Sequence, residues 1–422
     1  MVVDLHIHSH NSRATSKHMD LEGLYIWGKI KGINIIGTGD FTHPGWFIEL
    51  REKLRPAEPG LFRLSEEEEK RLDKKVPRAC KNNIIRFILT VEVSTIYKKA
   101  GKVRKVHSVV IVPNFEAASY VNAKLSRIGN LKADGRPIIG MDSKELLRIA
   151  LESHPESLYV PAHIWTPWFS IFGSKSGFNS LEETFDELTP HIHAVETGLS
   201  SDPAMNWRLS QLDHCTLISN SDAHSPQKLG REANVIRANL SYTEIIGAVK
   251  TNDARFVGTI EFFPEEGKYH YDGHRLCNVR FSPSETHAHQ GLCPRCGQPL
   301  VVGVDSRVDE LADRPVGYEP KNHKQVEYII PLIELIGQAA KVGPTVALRM
   351  YQSVIEEYGD EFSILRTLPT TELAGRYPDL ATHIEGMRAQ HVVREPGYDG
   401  VYGRIMVDIG EKDEKGQQRL FG

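Results

Sequence analysis

Seven apolar segments in the first 224 residues each carry or run into a histidine, aspartate or glutamate, and helical segments separate most of them. The first is Val2-Val3-Asp4-Leu5-His6-Ile7-His8-Ser9, where β-branched and apolar residues favour a short buried strand. Side chains alternate along a strand, so His6 and His8 are expected on one side, close enough to serve one metal cluster. The segment 33–40 then runs into the glycine turn Gly37-Thr38-Gly39-Asp40. The segment 84–93 carries Glu92, 106–113 begins at His107, and 157–164 reaches His163. The segment 192–197 carries Glu196, and 215–220 runs into Ser221-Asp222-Ala223-His224. Helical patterns at 21–31, 143–151 and 181–188 alternate with these strands. That rhythm predicts an α/β fold with a parallel sheet closed, or nearly closed, into a barrel, whose chemistry sits where strands end.

The candidate ligands are therefore His6, His8, Asp40, Glu92, His107, His163, Asp222 and His224. Imidazole with carboxylate suits zinc, manganese or iron better than calcium or copper. Glu92 argues most strongly, because a carboxylate inside an apolar strand is costly unless paired or metal-bound.

Combined, His6-x-His8, Thr90-Val91-Glu92-Val93-Ser94, His107, His163 and Asp222-x-His224 resemble the polymerase-and-histidinol-phosphatase (PHP) superfamily over roughly residues 1–262. The resemblance implies a distorted seven-stranded β/α barrel that hydrolyses phosphoesters with two or three divalent metals, Zn2+, Mn2+ or Mg2+. It implies that His6, His8, Glu92 and Asp222 hold one ion. Glu92, His107 and His163 would hold a second, with Glu92 bridging, and His224 would belong to a third. Two departures stand out. Thr38-Gly39-Asp40-Phe41 replaces the usual Asp-His, so Asp40 is expected to substitute for the missing ligand. Asn11-Ser12-Arg13-Ala14-Thr15 offers no counterpart to a further His or Asp, and His10 or His18 would need a loop shift to serve.

Two inserts point to the substrate. Tyr97-Lys98-Lys99-Ala100-Gly101-Lys102-Val103-Arg104-Lys105 reads as a basic hairpin, whose Lys98, Lys99, Lys102, Arg104 and Lys105 could hold a phosphate backbone. After His163, an aromatic loop carries Trp165, Trp168, Phe169 and Phe172, which could stack on a base taken out of a duplex. A solvated hairpin tip and a packed lid are the plainer readings of the same stretches.

His274-x2-Cys277 followed by Cys293-Pro294-Arg295-Cys296 has zinc-ribbon spacing, which predicts a closed structural Zn2+ site within a small module at 263–318. His287 and His289 compete with His274 as the fourth ligand. Residues 319–412 read as a helical DNA-binding domain, with helical runs at 325–340 and 346–358 around Gly343-Pro344. Residues 413–422 read as a flexible tail, in which Gln417, Leu420 and Phe421 resemble the peptide that docks repair proteins on the DNA sliding clamp.

The chain of 422 residues has a net charge of -4, so nucleic-acid binding must rest on local patches. No run reaches the ~18 apolar residues of a membrane span, and no leader is expected ahead of the first strand. A cytoplasmic monomer with damaged DNA as partner is expected. Barrel, zinc module, helical region and tail together resemble the endonuclease Q family, through Gly37-Thr38-Gly39-Asp40, Glu196-Thr197-Gly198-Leu199-Ser200-Ser201-Asp202-Pro203 and Ser219-Asn220-Ser221-Asp222-Ala223-His224. That resemblance implies cleavage on the 5′ side of deaminated bases (uracil, hypoxanthine) and abasic sites, with Asp222, Glu92 and His8 as catalytic ligands. A small-molecule phosphatase and a non-catalytic DNA-binding scaffold are the alternatives.

Overall fold

In a computed structural model that describes residues 1–410, Val2–Asp4 is a buried strand that pairs in parallel with Ile35–Gly37. Between them lies the helix Leu21–Lys31. Asp20 caps its first turn, and Gly32, at φ 82°, ends it in the left-handed region that favours glycine. Ile35–Gly37 pairs in parallel with Arg86–Lys99. From there the parallel order ends, and the expected basic hairpin extends far beyond residues 97–105. Arg86–Lys99 turns back at Ala100-Gly101 into Lys102–Val112, and the two pair antiparallel along their whole length. Both turn residues have positive φ, the two-residue geometry whose twist matches that of the flanking strands. His107 therefore lies inside its strand and not at its start.

Leu158–Pro161 follows antiparallel to Lys102–Val112. Ala194–Glu196 and Thr216–Ile218 then pair in parallel with each other. The circuit returns to its beginning through a parallel bridge between Ile7 and Ala223 and a hydrogen bond from His8 N to Ala223 O. Val3, Ile35, Ile88, Val109, Val160, Ala194 and Ile218 meet in one buried cluster, so the strands enclose a packed apolar interior and not a pore. Ala233–Ile236 lies antiparallel to the first strand, and Phe256–Glu261 antiparallel to Ala233–Ile236.

The segment 325–340 is not one helix. Gln325–Tyr328 is a strand, parallel to Phe256–Glu261, and only Leu332–Ala340 is helical. Pro331 separates them, and edge pairing overrides the helical pattern of the first four residues. Pro344–Tyr358, Glu361–Arg366, Thr370–Ala374 and Pro378–Arg388 complete the helical region. A final hairpin, Val392–Glu395 with Arg404–Val407, leads back to the Cys-rich module, where Tyr398 bridges to Tyr271. Among the described residues no helix is long and apolar enough to cross a membrane. Gln417, Leu420 and Phe421 lie outside the described residues.

Candidate metal centre

The regular part of the first strand ends at Asp4, yet the two histidines beyond it still converge, with ring centroids 5.6 Å apart. His6, His8, Glu92 and Asp222 each offer one ligand atom to a common point, and Glu92, His107 and His163 form a second set that shares Glu92. Five turns and strands supply these side chains. Asp222 (φ 47°) and His163 (φ 29°) hold left-handed backbone without being glycine, a local strain characteristic of functional positions.

His6 Nδ1 lies 3.0 Å from each oxygen of Glu196, and His8 Nδ1 lies 3.1 Å from Asp40 Oδ1. Since a carboxylate only accepts, both imidazoles donate from Nδ1, which leaves Nε2 as the atom that faces the centre. Those Nε2 atoms face further carboxylate oxygens. His8 Nε2 is 3.1 Å from Glu92 Oε2 and 3.0 Å from Asp222 Oδ1. His6 Nε2 is 3.5 Å and 3.7 Å from the same two atoms. Among the described residues, His6 Nε2, His8 Nε2 and Asp222 Oδ1 are buried with no hydrogen bond of regular geometry. Burial opposes charge on both imidazoles, but Glu196 and Glu92 raise His6, and Asp222 and Asp40 raise His8, well above the ordinary value; the carboxylates around each Nε2 call for positive charge there, which a cation supplies. The residues therefore fit a metal. Around the second set, Glu92 Oε1 is 2.7 Å from His107 Nδ1 and 3.2 Å from His163 Nε2. Burial opposes charge on Glu92, but His107, Arg136 and His6 hold its carboxyl well below the usual range. Burial pushes His107 down to about 4, leaving a neutral imidazole of the kind that ligates.

Asp40, expected as a ligand, falls outside both sets. Oδ1 meets His8, and Oδ2 accepts from Ser9 N, Ser9 Oγ and Ser12 Oγ, at 2.7, 2.7 and 2.9 Å. Its lone pairs are spent on orienting His8. Glu196 does the same for His6 and also accepts from Asn220 Nδ2 and His163 N. Sequence reasoning left it out of the ligand shell, although a carboxylate in an apolar strand was the signal that singled out Glu92. His224 joins neither set; its Nδ1 donates to Asp222 O at 2.8 Å.

The inserts divide by burial. Trp165 and Phe172 are buried, and Trp165 Nε1 donates to Asn206 Oδ1 at 2.8 Å, so both serve packing and present no face to a base. Trp168 is 43% exposed. With Thr166, Leu199, Tyr269, Val304 and Tyr402 it lines a largely apolar cavity of about 290 Å³. Thr166 Oγ1 is also 3.1 Å from His163 Nδ1, so the cavity adjoins the centre. On the basic hairpin Lys98 and Lys102 are exposed, and Lys105 lies over the Phe169 ring. Lys99 pairs with Asp186 at 3.0 Å. Arg104 is buried against Phe178 and donates to Gly177 O, which removes it from any backbone-gripping set.

In the Cys-rich module, His274, Cys277, Cys293 and Cys296 come together, with His274 Nδ1 3.5 Å from Cys296 Sγ. His289 instead stacks on Phe281. Burial opposes charge on Cys293, but backbone N–H groups of Arg295 and Cys296 bring its thiol down to about 7.

Fold and site together define a class: an α/β protein whose buried histidine–carboxylate centre is suited to divalent cations, with a separate Cys/His cluster. No protein-family model matches the sequence. The uncharacterized protein MJ0043 of Methanocaldococcus jannaschii is 31% identical over 304 residues, 68% of this chain and 36% of that protein. YqxK of Bacillus subtilis, also uncharacterized, is 32% identical over 253 residues, 59% of this chain and 60% of that one. The chain thus spans about a third and three-fifths of these relatives' lengths. Among solved structures, the lesion-specific endonuclease PfuEndoQ from Pyrococcus furiosus matches with a TM-score of 0.83 and 29% identity, over 97% of this chain and 96% of that one. Endonuclease Q in complex with a 27-mer duplex carrying an abasic lesion at the active site matches with a TM-score of 0.80 and 29% identity, over 96% and 97%. Over nearly its whole length the chain has the architecture of endonuclease Q.

Proposed function

We propose that this chain is a DNA-repair endonuclease that hydrolyses the phosphodiester on the 5′ side of deaminated bases or abasic sites. The observation that carries the reading is the structural match, over 96% of the chain, to endonuclease Q holding an abasic duplex at its active site. We read residues 1–262 as a PHP-type barrel, 263–318 as a zinc module and 319–412 as a helical DNA-binding domain, in a cytoplasmic monomer. The tail residues Gln417, Leu420 and Phe421 are proposed to dock on the sliding clamp.

His6, His8, Glu92 and Asp222 would hold one divalent metal, and Glu92, His107 and His163 a second. Bound there, the metals supply an activated water and neutralise charge on the phosphate. The chain's own residues set the stage. Glu196 and Asp40 orient His6 and His8, keeping each Nε2 aimed at the centre. Trp168, Tyr269 and Tyr402 offer aromatic faces in a cavity next to His163, where an extruded base could stack. Deaminated and abasic nucleotides pair poorly, so extruding them costs less than the few kcal/mol of a normal base. Exposed Lys98 and Lys102 lie on a rigid hairpin for the backbone of the flanking strand. His274, Cys277, Cys293 and Cys296 would hold a structural Zn2+.

The test is a cleavage assay on duplexes carrying uracil, hypoxanthine, an abasic site or no lesion, with mapped ends and Zn2+, Mn2+ or Mg2+ added. Nicks on the 5′ side of the lesion alone are expected. A metal-replete protein that leaves all four duplexes whole would overturn the reading.

A further inference from the structure

We propose that Arg136 is the group of this site that grips a non-bridging oxygen of the scissile phosphate, supplying the positive charge that a third cation would otherwise bring. The inference rests on the phosphodiester reading above.

Arg136 Nη1 lies 3.1 Å from Glu92 Oε2, the carboxylate common to both ligand sets. Its side chain is 29% exposed while that of Glu92 is fully buried, so the guanidinium spans from the centre to its mouth. Among the described residues it has no other carboxylate within ion-pair distance. Of its five N–H donors only those on Nη1 are engaged among the described residues. With cations held by Glu92, the guanidinium would share its carboxylate partner and face like charge. Its planar fork then suits the next anion to arrive, and phosphate oxygens match that geometry.

The backbone around Arg136 is built to hold it in place. Gly135 N donates to Asn11 O at 3.0 Å, and Ser94 N to Pro137 O at 3.0 Å. Asp134 Oδ1 accepts from Arg136 N and from Arg13 N. A side chain at Gly135 would run into Asp40 Oδ2 and Ser12 Oγ, so this loop lies directly against the carboxylate that orients His8. The loop is thus pinned to the chain after His8 and to the strand that carries Glu92. His224 meanwhile belongs to no ligand set, and a third set is absent among the described residues of this centre. Arg136 is a protein cation that already touches the centre.

The experiment uses the full chain loaded with Mn2+, with metal content measured for wild type, R136Q and R136K. Inorganic phosphate binding is followed by calorimetry, alongside cleavage of an abasic duplex. R136Q is expected to bind phosphate about tenfold or more weakly and to lose ~10²–10³ in kcat, the usual cost of removing one donor to a developing oxyanion. Its metal stoichiometry should be unchanged, and added guanidinium ion should recover part of the rate. R136K, with a charge but no fork, should fall between. Phosphate affinity within twofold of wild type at equal metal content would overturn the proposal. So would a variant that sheds metal while each loaded site binds phosphate normally, because Arg136 would then only neutralise Glu92. Phosphate binding that depends on Arg136 in a protein that cuts no DNA would support this role and sink the nuclease reading instead.

Discussion

Asp40 Oδ1 lies 3.1 Å from His8 Nδ1, and three donors from Ser9 and Ser12 occupy its other oxygen. The carboxylate therefore acts on the metal centre through the imidazole. Asp40→Ala is expected to weaken metal binding by ~10–100-fold, the usual effect of removing a partner that orients a ligand. Glu196→Gln should act likewise through His6, whereas His224→Ala should leave metal affinity nearly unchanged. Competition titrations with a chromogenic chelator would measure all three. Equal losses for Asp40→Ala and His224→Ala would contradict this division of roles.

Asp222 Oδ1 faces His8 Nε2 at 3.0 Å inside the centre, so Asp222→Asn removes a ligand while leaving the strand pairing intact. Cleavage of lesion duplexes should drop below detection while gel-shift affinity stays close to wild type. A variant that still cuts at the wild-type rate would disprove the assignment.

Trp165 and Trp168, three residues apart, should behave as different kinds of residue. Trp168→Ala removes an exposed aromatic face, and ~1–3 kcal/mol of base stacking corresponds to a rise of about tenfold in KM for a lesion duplex at unchanged melting temperature. Trp165→Ala empties a buried site and breaks the bond to Asn206, costing ~3–5 kcal/mol of stability. Thermal melts paired with steady-state kinetics separate the two.

Cys296→Ser should release one equivalent of zinc and open residues 272–300 to protease, because so small a module depends on its ion. A Glu92→Ala variant should keep that equivalent while losing metal from the histidine–carboxylate centre. Elemental analysis of the two proteins tests the independence of the sites.

Glu232 and Glu261 lie next to each other at the end of the antiparallel Ala233–Ile260 pairing, both fully buried. Burial pushes Glu261 up to about 8, with Asp202 adding to the rise, and burial and Glu261 raise Glu232. The folded state thus binds the proton more tightly than the unfolded state. The resulting stability is complete below the ordinary carboxyl value of 4.5 and is lost as pH climbs through about 8. Glu261→Gln should match wild type at pH 4 and melt several degrees higher at pH 9. A melting curve for the variant that falls as steeply as wild type between those values would refute the protonated state.

The inventory of the centre was legible in the chain. His6, His8, Glu92, His107, His163 and Asp222 stood out because apolar strands tolerate such residues only where something partners them. The CxxC pair, with a histidine three residues before Cys277, announced its own cluster. The helix 21–31 was also readable, since its cap residues act within one turn of the chain. Only the fold could decide which carboxylate binds and which orients. Asp40 and Glu92 look alike in sequence, and what separates them is whether Ser9 and Ser12 arrive from 28 to 31 residues away to fill one set of lone pairs. The same holds for Arg136, Trp165 and Arg104, whose roles depend on partners brought by other strands and loops. Residue type and local pattern limit what a side chain can do; hydrogen-bond partners, burial and neighbouring charge, all assembled through space, determine which of those things it does.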